Sequence, residues 1–153
     1  MAKRNNGINL KKVSKDIKKF LKDIGIKDAE INVEEKRITS VFDTSLKDYD
    51  DNIIARFDYY TNGLAVFCFT FDRLDVNEQT LRMINAANER LLFFQVFIDT
   101  EKNYMRLMHS VMYVHEDDYD DYVANVLKEF VEDSTIEVLT PLCILTEGNT
   151  GNA

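Results

Sequence analysis

Asn62-Gly63 stands between two runs rich in β-branched and aromatic residues, Ile53 to Tyr60 and Leu64 to Phe71. Both residues of the pair tolerate positive φ, so the dipeptide predicts a type I′ hairpin that sets the two runs side by side and antiparallel. No other feature narrows the possible folds as much, because neighbouring strands joined this tightly exclude a wholly parallel sheet. A second pair of strands is predicted at Leu92 to Asp99 and Tyr104 to Val114, joined by Thr100 to Asn103. Shorter β-like stretches lie at Ile31 to Val33 and Arg37 to Phe42, with Glu35-Lys36 between them as a turn.

Helical periods fill most of the remainder. Leu10, Val13, Ile17, Phe20, Leu21 and Ile24 recur at three- and four-residue steps, and Gly25 follows where a left-handed cap belongs. A second helix is predicted to open at Asp75, with Glu78 three residues later as its capping box, and to run through Leu81, Ile84, Ala87, Asn88 and Leu91. A third is predicted from about Asp117 to Asp133, its acidic start favoured by the helix dipole and its apolar face made by Tyr119, Tyr122, Val123, Val126, Leu127 and Phe130. Ile136 to Leu145 is apolar enough to dock, and Pro141 suggests a short edge strand there. The expected fold class is therefore α+β, an antiparallel β-sheet with three helices in the order α-β-β-β-α-β-β-α. Residues 1–146 read as a single domain and residues 147–153 as a flexible C-terminal tail.

The strands do not alternate apolar with polar, as an antiparallel sheet covered on one side should. Leu64, Val66 and Cys68 share one face and Ala65, Phe67, Phe69 and Phe71 the other. In Leu92 to Asp99, Leu92, Phe94, Val96 and Ile98 oppose Phe93 and Phe97. Either the helices cover both faces, or a second subunit or a client peptide covers one. On the second alternative Phe67, Phe69, Phe93 and Phe97 are the candidate partner-binding residues.

Charge is divided along the chain. Residues 1–27 hold nine Lys or Arg against two Asp, a net of +7, and residues 28–153 hold ten against twenty-five acidic residues, a net of −15. Six lysines from Lys11 to Lys22 line the outer side of the first helix. They read as a solvated face, as a partner for acidic groups of the body or of another protein, or as a weak site for anionic lipid or nucleic acid. So acidic a body argues against nucleic-acid binding by the whole domain. Two cysteines, Cys68 and Cys143, are too few for a disulfide framework, and Cys68 inside an apolar run reads as a small buried hydrophobe. With no apolar stretch of about twenty residues for a membrane span, the expectation is a soluble, cytoplasmic protein.

Little in the chain suggests catalysis. His109 and His115 are the only histidines: His109 shares a strand face with Met105, Leu107, Val111 and Tyr113 as a core or edge imidazole, and His115 is expected in solvent. Ser110 beside His109 points to the opposite strand face and makes no triad. Asp48, Asp50 and Asn52 alternate as in an EF-hand loop, but Ile53 and Tyr59 stand where that loop needs Gly and Glu. The acidic segment Asp43 to Asp51 is expected to be a solvated turn. No catalytic group, metal site or cofactor is assigned.

Leu81-Arg82-Met83-Ile84-Asn85-Ala86-Ala87-Asn88-Glu89-Arg90, running into Leu92 to Asp99, resembles the YbjN family of bacterial proteins. In that family a helix with an L-x-x-I/L-N-x-x-N pattern leads into a strand hairpin and a final amphipathic helix. Asn85 and Asn88 match its two asparagines, while Ala87 stands where a Trp or another large residue is frequent. The element order is also similar to the type III secretion chaperone-like fold. The resemblance, sharpest over residues 75–133, implies a small, acidic, cytosolic and often dimeric binding scaffold without catalytic residues. It implies that Asn85 and Asn88 cap or bridge backbone at the helix–strand junction. The expected function is a non-enzymatic protein-binding module, chaperone-like or regulatory. The alternatives are a small-ligand sensing domain with a pocket near His109 or the Asn85/Asn88 junction, or a structural subunit of a larger assembly.

Overall fold

A computed structural model describes residues 7–146 of the chain, so the expected tail lies outside the described residues. The elements are α1 (Leu10–Asp23), β1 (Glu30–Val33), β2 (Arg37–Thr44), β3 (Ile53–Tyr60), β4 (Ala65–Arg73), α2 (Glu78–Arg90), β5 (Gln95–Ile98), β6 (Tyr104–Val111), α3 (Tyr119–Phe130) and α4 (Asp133–Thr146). The class is α+β, with four helices rather than three and four strands rather than three before α2. All six strands form one antiparallel sheet in the order β1-β2-β3-β4-β6-β5.

The turns follow local chemistry. Gly25 at φ 98° ends α1 in a Schellman arrangement, Ile26 N–H bonding to Leu21 and Gly25 N–H to Lys22. The hairpin after β3 is not type I′. Only Gly63, at φ 88°, has positive φ; its N–H bonds to Tyr60 C=O, and Tyr60 N–H to Leu64 C=O. This is the longer hairpin loop in which an ordinary turn is closed by one left-handed glycine. A Cβ on Gly63 would lie 2.4 Å from the Tyr113 ring, so close approach reinforces the requirement. Helix α2 starts at Glu78, not Asp75. Asn77 is its N-cap, accepting from Thr80 N–H while Thr80 Oγ1 accepts from Asn77 N–H. Asp75 contributes only a carbonyl, to the Thr80 hydroxyl.

The largest departure is at the C-terminus. Residues 136–145, expected as an edge strand, belong to α4, with Pro141 inside the helix. Its buried residues Thr135, Val138, Leu139, Leu142, Cys143 and Thr146 fall at steps of three, one, three, one and three, a helical stripe masked by β-branched neighbours. Pro141 is exposed, where water can satisfy the carbonyl its missing N–H would have bonded. The acidic segment before β3 is likewise more than a solvated turn. Leu46 and Tyr49 are buried, and the Tyr49 hydroxyl meets Thr146 Oγ1 at 2.9 Å and accepts from Asp72 N–H.

Register places Ile38, Phe42, Ala55, Phe57, Tyr59, Ala65, Phe67, Phe69, Met105 and Leu107 on one face of the sheet, all buried. Contacts from α1, α3 and α4 reach this face: Phe20 of α1 meets Tyr119 of α3, Tyr119 meets Tyr59, and Phe130 stacks on Phe69 at 3.8 Å. Helix α2 packs on β5 and α4 at the end of the sheet. Of the two coverings the sequence allowed, the structure has one. Helices α1, α3 and α4 gather on a single face, and α2 closes the β5 end.

Candidate functional site

The opposite face of the sheet carries Thr39 and Val41 of β2, Ile54, Arg56 and Asp58 of β3, Val66, Cys68 and Thr70 of β4, Arg106 and Met108 of β6, and Phe97 of β5. Ile54 is 45% exposed, and Val41, Val66, Cys68, Met108 and Phe97 are half-buried. Apolar side chains on a sheet face with no helix over it among the described residues are the strands' missing alternation made visible.

A charged network crosses this face. Asp58 accepts from the Thr39 hydroxyl at 2.7 Å and from Arg56 Nε at 2.9 Å. Arg56 lies directly across from Cys68, and Arg106 across from Thr70. Arg106 Nη2 reaches Asp99 at 3.5 Å, while its Nε is shielded without a hydrogen bond. The Asp99 carboxylate is held below its ordinary pKa, first by the Lys102 N–H and then by the N–H groups of Glu101 and Tyr104. Cys68, expected in the core, is half-buried between the two arginines. Burial pushes its thiol pKa up and outweighs the opposing pull of Arg106, so the thiol stays protonated at neutral pH. A depression of about 550 Å³ opens beside this network, lined by Ile54, Arg56, Thr70, Tyr104 and Arg106 with Asp51, Asp72 and others.

The residues expected to contact a partner separate. Phe67 and Phe69 are fully buried in the helix-covered face, so their rings are core and not contact surface. Phe93 sits in the approach to β5, stacked on His109 at 4.0 Å. Phe97 alone lies on the open face. Strand β5 begins only at Gln95, and Leu92, expected within it, is fully exposed.

At the helix–strand junction, Asn88 Nδ2 donates to Val96 C=O at 3.0 Å, and Val96 N–H donates to Asn88 Oδ1 at 2.7 Å. The carboxamide thereby takes the place of a neighbouring strand on the outer edge of β5. Asn85 is exposed and lines, with Val76, Leu81 and Phe97, a groove of about 520 Å³ between α2 and β5.

His109 is half-buried, its Nδ1 3.1 Å from the Tyr122 hydroxyl. Burial lowers its pKa from 6.5. The unfolded chain therefore takes up the proton first as pH falls, and the fold loses stability from about pH 6.5 downward. The melting temperature of the wild type should fall more steeply between about pH 7 and pH 5.5 than that of His109→Phe, which cannot titrate. Parallel slopes would remove His109 as the cause. His115 lies in solvent, its Nδ1 accepting from Asp117 N–H.

Among the described residues no three His, Cys, Asp or Glu side chains cluster as a metal site would need, and no helix is long and apolar enough to cross a membrane. None of the six lysines of α1 lies in an ion pair among the described residues. The chain matches no family model, no curated protein and no solved structure.

Proposed function

We propose that this chain is a non-enzymatic protein-binding module, chaperone-like or regulatory, whose partner covers the open face of the sheet. A relationship to the YbjN family and to type III secretion chaperone-like proteins, resting on Asn85, Asn88 and the order of elements, belongs to the same proposal. One observation carries it. The strands are apolar on both faces, yet the helices cover only one. Ile54, Val66, Met108 and Phe97 would supply the apolar centre, while Arg56, Asp58 and Arg106 would set orientation and discriminate among partners.

The test is a paired capture from the native cell with wild type and an Ile54→Glu/Met108→Glu variant. Both positions are outside the core, so the variant should keep its melting temperature to within a few degrees. The specific partner should be lost by at least about tenfold, because a charge buried at the centre of an interface costs several kcal/mol. Equal recovery on both would refute the open face as the binding surface.

A second reading attaches to the groove between α2 and β5, whose volume suits a small ligand and whose lining joins Leu81 and Val76 to the Asn85 amide. On that reading a small molecule would raise the melting temperature of the wild type and not of Leu81→Asp.

A further inference from the structure

The two edges of the sheet end differently. On β5 the Asn88 carboxamide ties off Val96. On β1 nothing among the described residues does the same. Glu34 N–H bonds to Arg37 C=O, and the register continues with Asn32 opposite Thr39 and Glu30 opposite Val41. Antiparallel pairs alternate in their hydrogen bonding, so the N–H and C=O groups of Ile31 and Val33 point away from β2, along the free edge. Such a row is a template for another strand.

Helix α1 packs over this end of the sheet, on β1 and β2. Its orientation is set by Phe20, whose ring meets Tyr119 of α3 at 6.2 Å. At about 100° per residue, Lys11, Lys15, Lys18 and Lys22 fall within an arc of roughly 60° on the flank opposite Phe20. That flank faces away from α3, on the β1 side of the helix and roughly 95–155° round from the buried stripe of Leu10, Val13, Ile17 and Leu21, so the lysines stand to the side of and above the free edge of β1. All four lysines are exposed.

We infer that the β1 edge and this lysine row form one docking surface for an extended acidic segment of a partner polypeptide. The segment adds to β1 as a seventh strand and turns carboxylates at alternate positions toward Lys11, Lys15, Lys18 and Lys22. Its other face, beside Glu30, is neutral or basic. Charge decides against the competing occupants. Two copies of this chain paired edge to edge would set one lysine row against another. A nucleic acid would find the lysines, but it has no use for the strand edge and would meet a body of net charge −15. The surface is separate from the open face and shares with the proposed function only the premise that the partner is a polypeptide, so it can survive the loss of the open-face site.

The probe is a synthetic peptide of about seven residues, the length of an ordinary strand, alternating glutamate with threonine and valine. Controls are its lysine counterpart and a DNA duplex of about one helical turn. The wild-type chain should bind the glutamate peptide and not the lysine peptide. Hydrogen exchange at the Ile31 and Val33 amides should slow by at least about tenfold at saturation. Lys15→Gln/Lys18→Gln/Lys22→Gln should weaken binding by about tenfold or more, since removing several cations weakens a charge-steered contact. Three outcomes would overturn the inference: no binding at millimolar peptide, binding without protection of Ile31 and Val33, or DNA binding as tightly as the peptide. The exchange measurement is made on the wild type, so it does not depend on the variant folding.

Discussion

Phe69→Ala is expected to lower the stability of the chain by about 3–5 kcal/mol, the range for an aromatic ring deleted from a packed core. Phe69 is fully buried, and its ring is the hub of the helix–sheet contact. It stacks on Phe130 at 3.8 Å with the rings parallel to within 1°, on Phe67 at 5.0 Å, and meets Phe94 edge-on at 6.0 Å. These neighbours come from α3, from β4 itself and from the segment leading into β5, so the cavity cannot close by the movement of one side chain. For a domain of this size the loss corresponds to a fall of roughly 10 °C or more in melting temperature. Thermal and urea unfolding would measure it. A loss below about 1 kcal/mol would mean that α3 does not depend on this contact.

Asn88→Ala should cost about 1–3 kcal/mol, because it leaves both outward backbone groups of Val96 without partners where the side chain is 2% exposed. The second expected effect is self-association at higher concentration, since an untied β5 offers its edge to other strands. Asn85→Ala, at an exposed position on the same helix, should change stability by no more than about 0.5 kcal/mol. Denaturant titration of the two variants, with hydrogen exchange at the Val96 amide, separates them. Equal costs would show that the Asn88 bridge is not what protects β5. The two asparagines of the L-x-x-I-N-x-x-N stretch would thereby be given different roles, one in the backbone and one in the groove.

Most strands and the first three helices were legible because local signals agreed. Alternate aromatic and β-branched residues marked β3 and β4, and the stripe of Leu10, Val13, Ile17 and Leu21 marked α1. The failures share a physical origin. In residues 136–145 strand propensity and one proline outweighed a helical burial period that only packing against β4, α2 and α3 makes decisive. At Asp75 the acidic residue and Glu78 imitated a capping box that Asn77 and Thr80 make two residues later. In the segment around Tyr49, charge concealed two apolar anchors. Of the four phenylalanines marked for a partner, two proved to be core, because a sequence period says which side chains share a face but not which face the helices will choose.

From the sequence alone came an antiparallel α+β domain with strands apolar on both sides, a basic first helix and an acidic remainder. These depend on period, turn chemistry and charge, which are local. Only the tertiary structure decided that the helices gather on one side, leaving Ile54, Arg56, Cys68, Arg106 and Met108 uncovered. It also decided that β5 is tied off by Asn88 while the outward backbone groups of β1 have no such partner among the described residues. Both outcomes depend on contacts between residues far apart in the chain, where burying one face of a sheet settles the exposure of the other.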